Sequence, residues 1–202
     1  MSSDSTSPPP TEPRGAARRR LLLEATVRLI GQGGIAAVDH RAVAAEAGVP
    51  LGSTTYYFSS KDDMVAQALH YVADREADRL RAEMDRGLLA EGTGSPAERL
   101  ADLMIDVWAG DRTVLLAQYE LYLESGRRDD LRVAAERWDA AYREFLETAL
   151  ERLGTADAPR GARLLCAGLD GLLLEHVAMG TDPAELKSLT IDLIERVARD
   201  GS

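Results

Sequence analysis

The chain has 202 residues, 45% hydrophobic and 29% charged, which is enough to bury a real core. No run approaches the roughly 18 to 20 apolar residues of a membrane span, and no charged-then-apolar leader opens it, so a soluble cytoplasmic protein is expected. The lone Cys166 excludes an internal disulfide. The net charge of −10 is divided unevenly: residues 1–61 hold seven basic and five acidic side chains, residues 62–202 hold 17 and 29. A basic head on an acidic body confines attraction for a polyanion to one surface.

Residues 1–13, MSSDSTSPPPTEP, have no periodicity and are expected to form a disordered tail. Arg14, Arg18, Arg19 and Arg20 then enter a helix that carries Leu22, Leu29 and Ile30 toward the core, with Gly31, Gly33 and Gly34 as its stop. The arginine cluster reads either as a solvated helix end or as an arm for phosphates or a minor groove, with Arg18 as the candidate contact.

The next stretch, VDHRAVAAEAGVPLGSTTYYFSSKDDM from Val38 to Met64, has the layout of a helix-turn-helix. Asp39 is placed to cap the first helix, leaving His40 and Arg41 in its first turn. Val43, Ala44 and Ala47 form a narrow stripe of small apolar residues, and Gly48 stands where a helix end needs a left-handed residue. Ser53 is expected to cap the second helix, whose exposed face would hold Thr54, Thr55, Tyr56 and Tyr57. Such side chains donate to phosphate oxygens, and the Arg41 fork matches the O6 and N7 edge of guanine.

This segment resembles the tetracycline-repressor (TetR) family of bacterial transcription regulators, with AAEAGVPLGSTTYYFSSK placing Gly52, Tyr56, Phe58 and Lys61 at the family's positions. The resemblance covers roughly residues 16–85. It implies phosphate contacts from Tyr56 and Lys61, a core role for Phe58, and a base contact near Arg41. The segment departs from the pattern at Thr55, where an aromatic residue is frequent, and at Asp39, where Thr or Ser is frequent.

Beyond Lys61 the pattern is helical throughout, giving an all-α fold with an expected division into a DNA-binding unit at 14–60 and an effector-binding and dimerisation unit at 61–202. Ser60 with Asp63 suggests a capping box for a helix reaching about Gly87. Ser95-Pro96-Ala97-Glu98 and Asp182-Pro183-Ala184-Glu185 mark two further starts. Other helices are expected near 96–109, 112–125, 128–153 and 160–179, separated by Gly110, Gly126 and the Gly154 to Pro159 stretch. The small residues of the 160–179 helix and the leucine stripe of a final helix near 183–199 serve equally for intramolecular packing and for a dimer interface. The resemblance favours a homodimer through these helices on a pseudo-palindromic operator in double-stranded DNA.

Trp138, Tyr142 and Phe145 share one helix face, as core or as the wall of a pocket. The resemblance implies a small-molecule effector in the central helices, with Met104, Trp108, Tyr119, Tyr122, Trp138, Tyr142, Cys166 and His176 as candidate lining. Its identity is not readable from the sequence. The expected function is a repressor released from DNA by that effector. A helical enzyme is the rival reading, resting on Glu175-His176 and the carboxylates around Asp170. There is no nucleophile elbow, no phosphate-cradling loop and no metal-ligand spacing, so neither catalysis, a cofactor nor a metal is expected. A non-DNA-binding interaction module, with the helix-turn-helix as a structural corner, is the third reading.

Overall fold

The structure, a computed structural model, describes residues 14–86, 94–108 and 111–200, with the side chains of 107, 108 and 200 left aside. Among these residues there are α-helices and one short 3-10 turn at Ile35–Ala37, with no strand. In chain order the helices are α1 (Arg14–Gly33), α2 (His40–Ala47), α3 (Leu51–Tyr57), α4 (Lys61–Asp85), α5 (Pro96–Trp108), α6 (Arg112–Ser125), α7 (Asp129–Arg152), α8 (Ala158–Met179) and α9 (Pro183–Asp200). The expected tail at 1–13 and the breaks at Gly87 and Gly110 lie outside the described residues.

Local signals set most of these boundaries. The Asp39 carboxylate accepts the backbone N–H groups of Arg41 and Ala42 at the head of α2, and Gly48 ends that helix at φ 65°. Before α5, Ser95 accepts from the Glu98 N–H while the Glu98 carboxylate accepts from the Ser95 N–H, a complete capping box. Asp182 accepts from Ala184 and Glu185 before α9. The box expected at α4 is only half formed. Ser60 accepts from the Asp63 N–H, but the Asp63 carboxylate turns back to the N–H and hydroxyl of Ser59.

Two expectations about helix ends are corrected. The recognition helix begins at Leu51, with Pro50 rather than Ser53 at the cap position. The Pro50 ring fixes φ at −59° and so sets the entry without a side-chain cap; Ser53 lies inside the first turn, its N–H on the Pro50 carbonyl at 2.8 Å. Gly31 does not stop α1. It lies within the helix, and a Cβ there would fall 1.9 Å from the Thr113 carbonyl oxygen, so the glycine is what allows α6 to lie against α1.

Two apolar clusters fill the interior. One gathers Leu22, Ile30, Val43, Phe58, Met64 and Leu69 from α1 to α4, and extends to Leu121 of α6 and Leu131 and Trp138 of α7. The other holds Leu80, Leu100, Met104, Phe145, Leu165 and Ile194 from α4, α5, α7, α8 and α9. The expected division at residue 60 therefore falls at the start of a helix whose first half packs in one cluster and whose far end reaches the other. The Trp138–Phe145 face bridges both clusters.

Candidate DNA-binding surface and effector cavity

At the recognition helix, orientation decides which side chains face outward. Tyr56 is 80% exposed, and Thr55 and Arg41 are also exposed. Thr54 is fully buried, its hydroxyl donating to the Leu51 carbonyl at 2.8 Å, which removes it from the candidate contacts. The reason is periodicity: Thr54 stands one turn before the core residue Phe58 and shares its inward face. Tyr57 is half-buried; its hydroxyl donates to the Gly15 carbonyl at 3.1 Å and its ring meets Tyr56 edge-on at 4.9 Å. It braces the recognition helix against the start of α1.

Ser53 and His40 are half-buried, and the buried His40 Nδ1 has no hydrogen-bond partner among the described residues. Lys61 donates to the Ala36 carbonyl at 3.2 Å, which holds its ammonium beside the 3-10 turn. Arg18 is exposed on α1. Leu51, 51% exposed at the tip of α3, was not anticipated; an apolar side chain there suits contact with a thymine methyl group. Phe58, at 2% exposure, has the core role the resemblance implied.

In the body, α6, α7 and α8 line a cavity of about 310 Å³ that opens to the surface beside Leu123 and Leu174. Five of the expected residues line it: Tyr119, Tyr122, Trp138, Tyr142 and Cys166. Met104 does not; it is 1% exposed inside the second core cluster. His176 does not either, because its Nδ1 pairs with the Thr181 carbonyl at 2.9 Å at the end of α8. The Trp108 side chain lies outside the described residues.

The aromatic wall is built by ring-to-ring contact: Tyr122 meets Trp138 edge-on at 6.0 Å, and Tyr142 lies tilted to Trp138 at 6.1 Å. Trp138 is 9% exposed, and its buried Nε1 has no acceptor among the described residues. Two carboxylates, Asp139 and Asp170, also reach the lining. Asp139 is paired with Arg143 at 2.7 Å. Asp170 is open to solvent on one side while the cavity's apolar side chains crowd its carboxyl; desolvation, then the nearby Asp139 charge, push its pKa up to about 6. The same desolvation raises the Cys166 thiol to about 12 and keeps the Tyr119 and Tyr122 hydroxyls protonated.

Cavity and head are physically joined. The Tyr142 hydroxyl, on the cavity wall, donates to Glu76 of α4 at 3.4 Å. Burial raises the Glu76 pKa, an effect partly offset by Arg79, Arg75 and this hydrogen bond. At the other end of the same helix, Arg128 before α7 reaches the Asp62 carboxylate at 3.4 Å. On α6, the Glu120 carboxylate accepts the Ile35 N–H at 3.3 Å, next to the start of the helix-turn-helix.

A helix-turn-helix head on an all-helical body defines a DNA-binding transcription regulator. Comparison with known proteins agrees. Residues 22–68 match the family described as bacterial regulatory proteins, tetR family, and residues 91–199 match the tetracyclin repressor-like C-terminal domain. The HTH-type transcriptional regulator BetI of Brucella anthropi is 29% identical over 182 residues, covering 88% of this chain and 90% of that protein. The repressor KstR of Mycolicibacterium smegmatis is 42% identical over 83 residues, 41% of this chain and 38% of that protein. Among solved structures, the multidrug binding protein EbrR in complex with ethidium is 35% identical, with TM-score 0.66 and coverage of 89% and 98%. A TetR-family member from Streptomyces coelicolor A3 is 36% identical, with TM-score 0.67 and coverage of 88% and 98%. The chain belongs to the TetR family of transcriptional regulators, which are not enzymes.

Proposed function

We propose that this chain is a homodimeric repressor that binds a pseudo-palindromic operator through residues 14–60 and is released when a small molecule fills the cavity of the 61–202 body. The single observation that carries the reading is the outward face of α2 and α3, where Arg41, Thr55 and Tyr56 stand exposed above a buried Thr54 and Phe58. Lys61, Ser53, His40 and Arg18 flank that face as further candidate contacts. Phosphate donors fix the register and an Arg fork reads a base.

A dimer is supported by α8. Leu164, Ala167, Gly171, Leu174 and Ala178 recur at helical spacing and are all exposed, with Met179 at 82% and Leu189 of α9 at 39% beside them. Gly171 and Leu174 also line the cavity, so a second copy seated on α8 would sense its occupant. EbrR, a multidrug binding protein crystallised in complex with ethidium, proflavin and malachite green, supports a ligand-binding role for this chain.

The cavity acts on DNA binding only if its occupant fits one arrangement of the helices better than the other. Tyr142 to Glu76 and Glu120 to Ile35 are the two contacts through which a change at the cavity wall reaches α4 and the head. The test is selection of bound sequences from random duplex DNA by the intact protein. A pseudo-palindrome with half-sites about one helical turn apart, retained by two chains, is expected. Absence of enrichment at low salt contradicts the reading and favours the helix-turn-helix as a structural corner.

A further inference from the structure

Resting on the reading of the cavity as an effector site, we infer the chemical class of its ligand: a lipophilic organic cation, with the Asp170 carboxylate as its counter-charge. Three observations converge. The wall is aromatic, with Tyr119, Tyr122, Trp138 and Tyr142 presenting rings to one space. Such rings attract a cation over their faces. The two ionisable carboxylates of the lining are both acids, and they are not equivalent. Asp139 is held by Arg143 at 2.7 Å, whereas no hydrogen bond or ion pair reaches the Asp170 carboxylate among the described residues.

A carboxylate partly desolvated by apolar groups and set beside a like charge gains from a positive partner. The groups around Asp170 make this plain: Asp139 of α7 opposes its charge, and Tyr119 and Tyr122 of α6 and Cys166 of α8 stay neutral because burial raises all three. A neutral ligand leaves that carboxylate uncompensated, and an anion adds a third negative charge. A cation repairs it. The α8 position of Asp170 also places the charged contact on the helix that carries the proposed dimer face.

The experiment compares three near-isosteric probes by calorimetry on the full chain: N-methylquinolinium, neutral 1-methylnaphthalene, and 1-naphthoate. The cation is expected to bind about ten-fold or more tighter than the neutral probe near neutral pH, and the anion weakest. Asp170→Asn is expected to erase the preference for the cation while leaving the neutral probe within about two-fold, whereas Asp139→Asn changes it less because Arg143 already occupies that carboxylate. Lowering the pH through about 6 should shrink the preference as Asp170 takes up its proton. Equal binding of cation and neutral probe, or an unchanged preference in Asp170→Asn, overturns the inference and leaves the cavity a ligand site. Binding of none of the three overturns both the inference and the effector-site reading.

Discussion

The hydroxyl of Tyr142, on the wall of the cavity, donates to the buried carboxylate of Glu76 on α4 at 3.4 Å, so one side chain touches both the cavity and the helix that begins at the helix-turn-helix head. Glu76 is 6% exposed. A ligand that turns Tyr142 aside withdraws a hydrogen bond from a carboxylate with few ways to replace it, and α4 is the element that must respond.

That burial has a pH signature. The folded-state pKa of Glu76 is raised above its ordinary 4.5, so the folded protein holds the proton more tightly than the unfolded chain does. Stability from this group is therefore greatest below about 4.5 and falls as pH rises from there through the raised value. Glu76→Gln is expected to raise the melting temperature near neutral pH and to change it little near pH 4.5, measured by thermal unfolding across a pH series. An equal effect at both pH values would show that the carboxylate carries no burial cost.

Thr54 and Tyr56 stand two positions apart and have opposite roles. Thr54→Ala is expected to cost about 1 kcal/mol of stability through its lost packing and hydrogen bond, and to leave the salt slope of DNA binding unchanged. Tyr56→Ala should do the reverse, with unfolding unaffected and operator affinity reduced. Chemical denaturation paired with binding titrations separates the two.

Gly31→Ala brings a methyl group onto the Thr113 carbonyl and is expected to destabilise by about 1 to 3 kcal/mol, more if α6 is not able to shift. Gly52→Ala, where a Cβ meets nothing within 4 Å, is the matched control and should be close to neutral for stability. Comparable melting losses in both variants would remove the close approach of α1 and α6 from the account.

Lys61→Ala is expected to weaken binding to all sequences and to reduce the salt slope by about one, the mark of a lost phosphate contact. Arg41→Ala should instead relax preference at one base position at a cost of about 1 to 3 kcal/mol. Uniform loss across single-base operator variants would reassign Arg41 to the backbone.

Helix starts were legible in the sequence at Asp39, Ser95 and Asp182, where a polar cap announces them, but not at Asp157, whose cap sits inside a Gly- and Pro-bounded stretch. The start of α3 was not, because Pro50 sets it through a fixed φ and leaves no side-chain signature. A start at Leu51, earlier than a Ser53 cap would give, turns Thr54 inward, one turn before Phe58, and makes it a core residue rather than a DNA contact. Gly31 looked like a helix stop because its real neighbour, Thr113, is distant in sequence. The aromatic cavity residues were visible as a helical stripe, yet the same stripe includes Phe145, which is pure core. Which acid among many faces the cavity, as Asp139 and Asp170 do, depends on the packing of α6, α7 and α8 and has no local signal.

The most direct test of the account measures linkage between the two sites. With an operator in hand, its affinity is determined with and without saturating N-methylquinolinium, and the affinity of that probe with and without operator. The account predicts that each weakens the other by the same factor, on the order of 5 to 150. A cavity shown by calorimetry to be filled, with operator affinity unchanged, would contradict it.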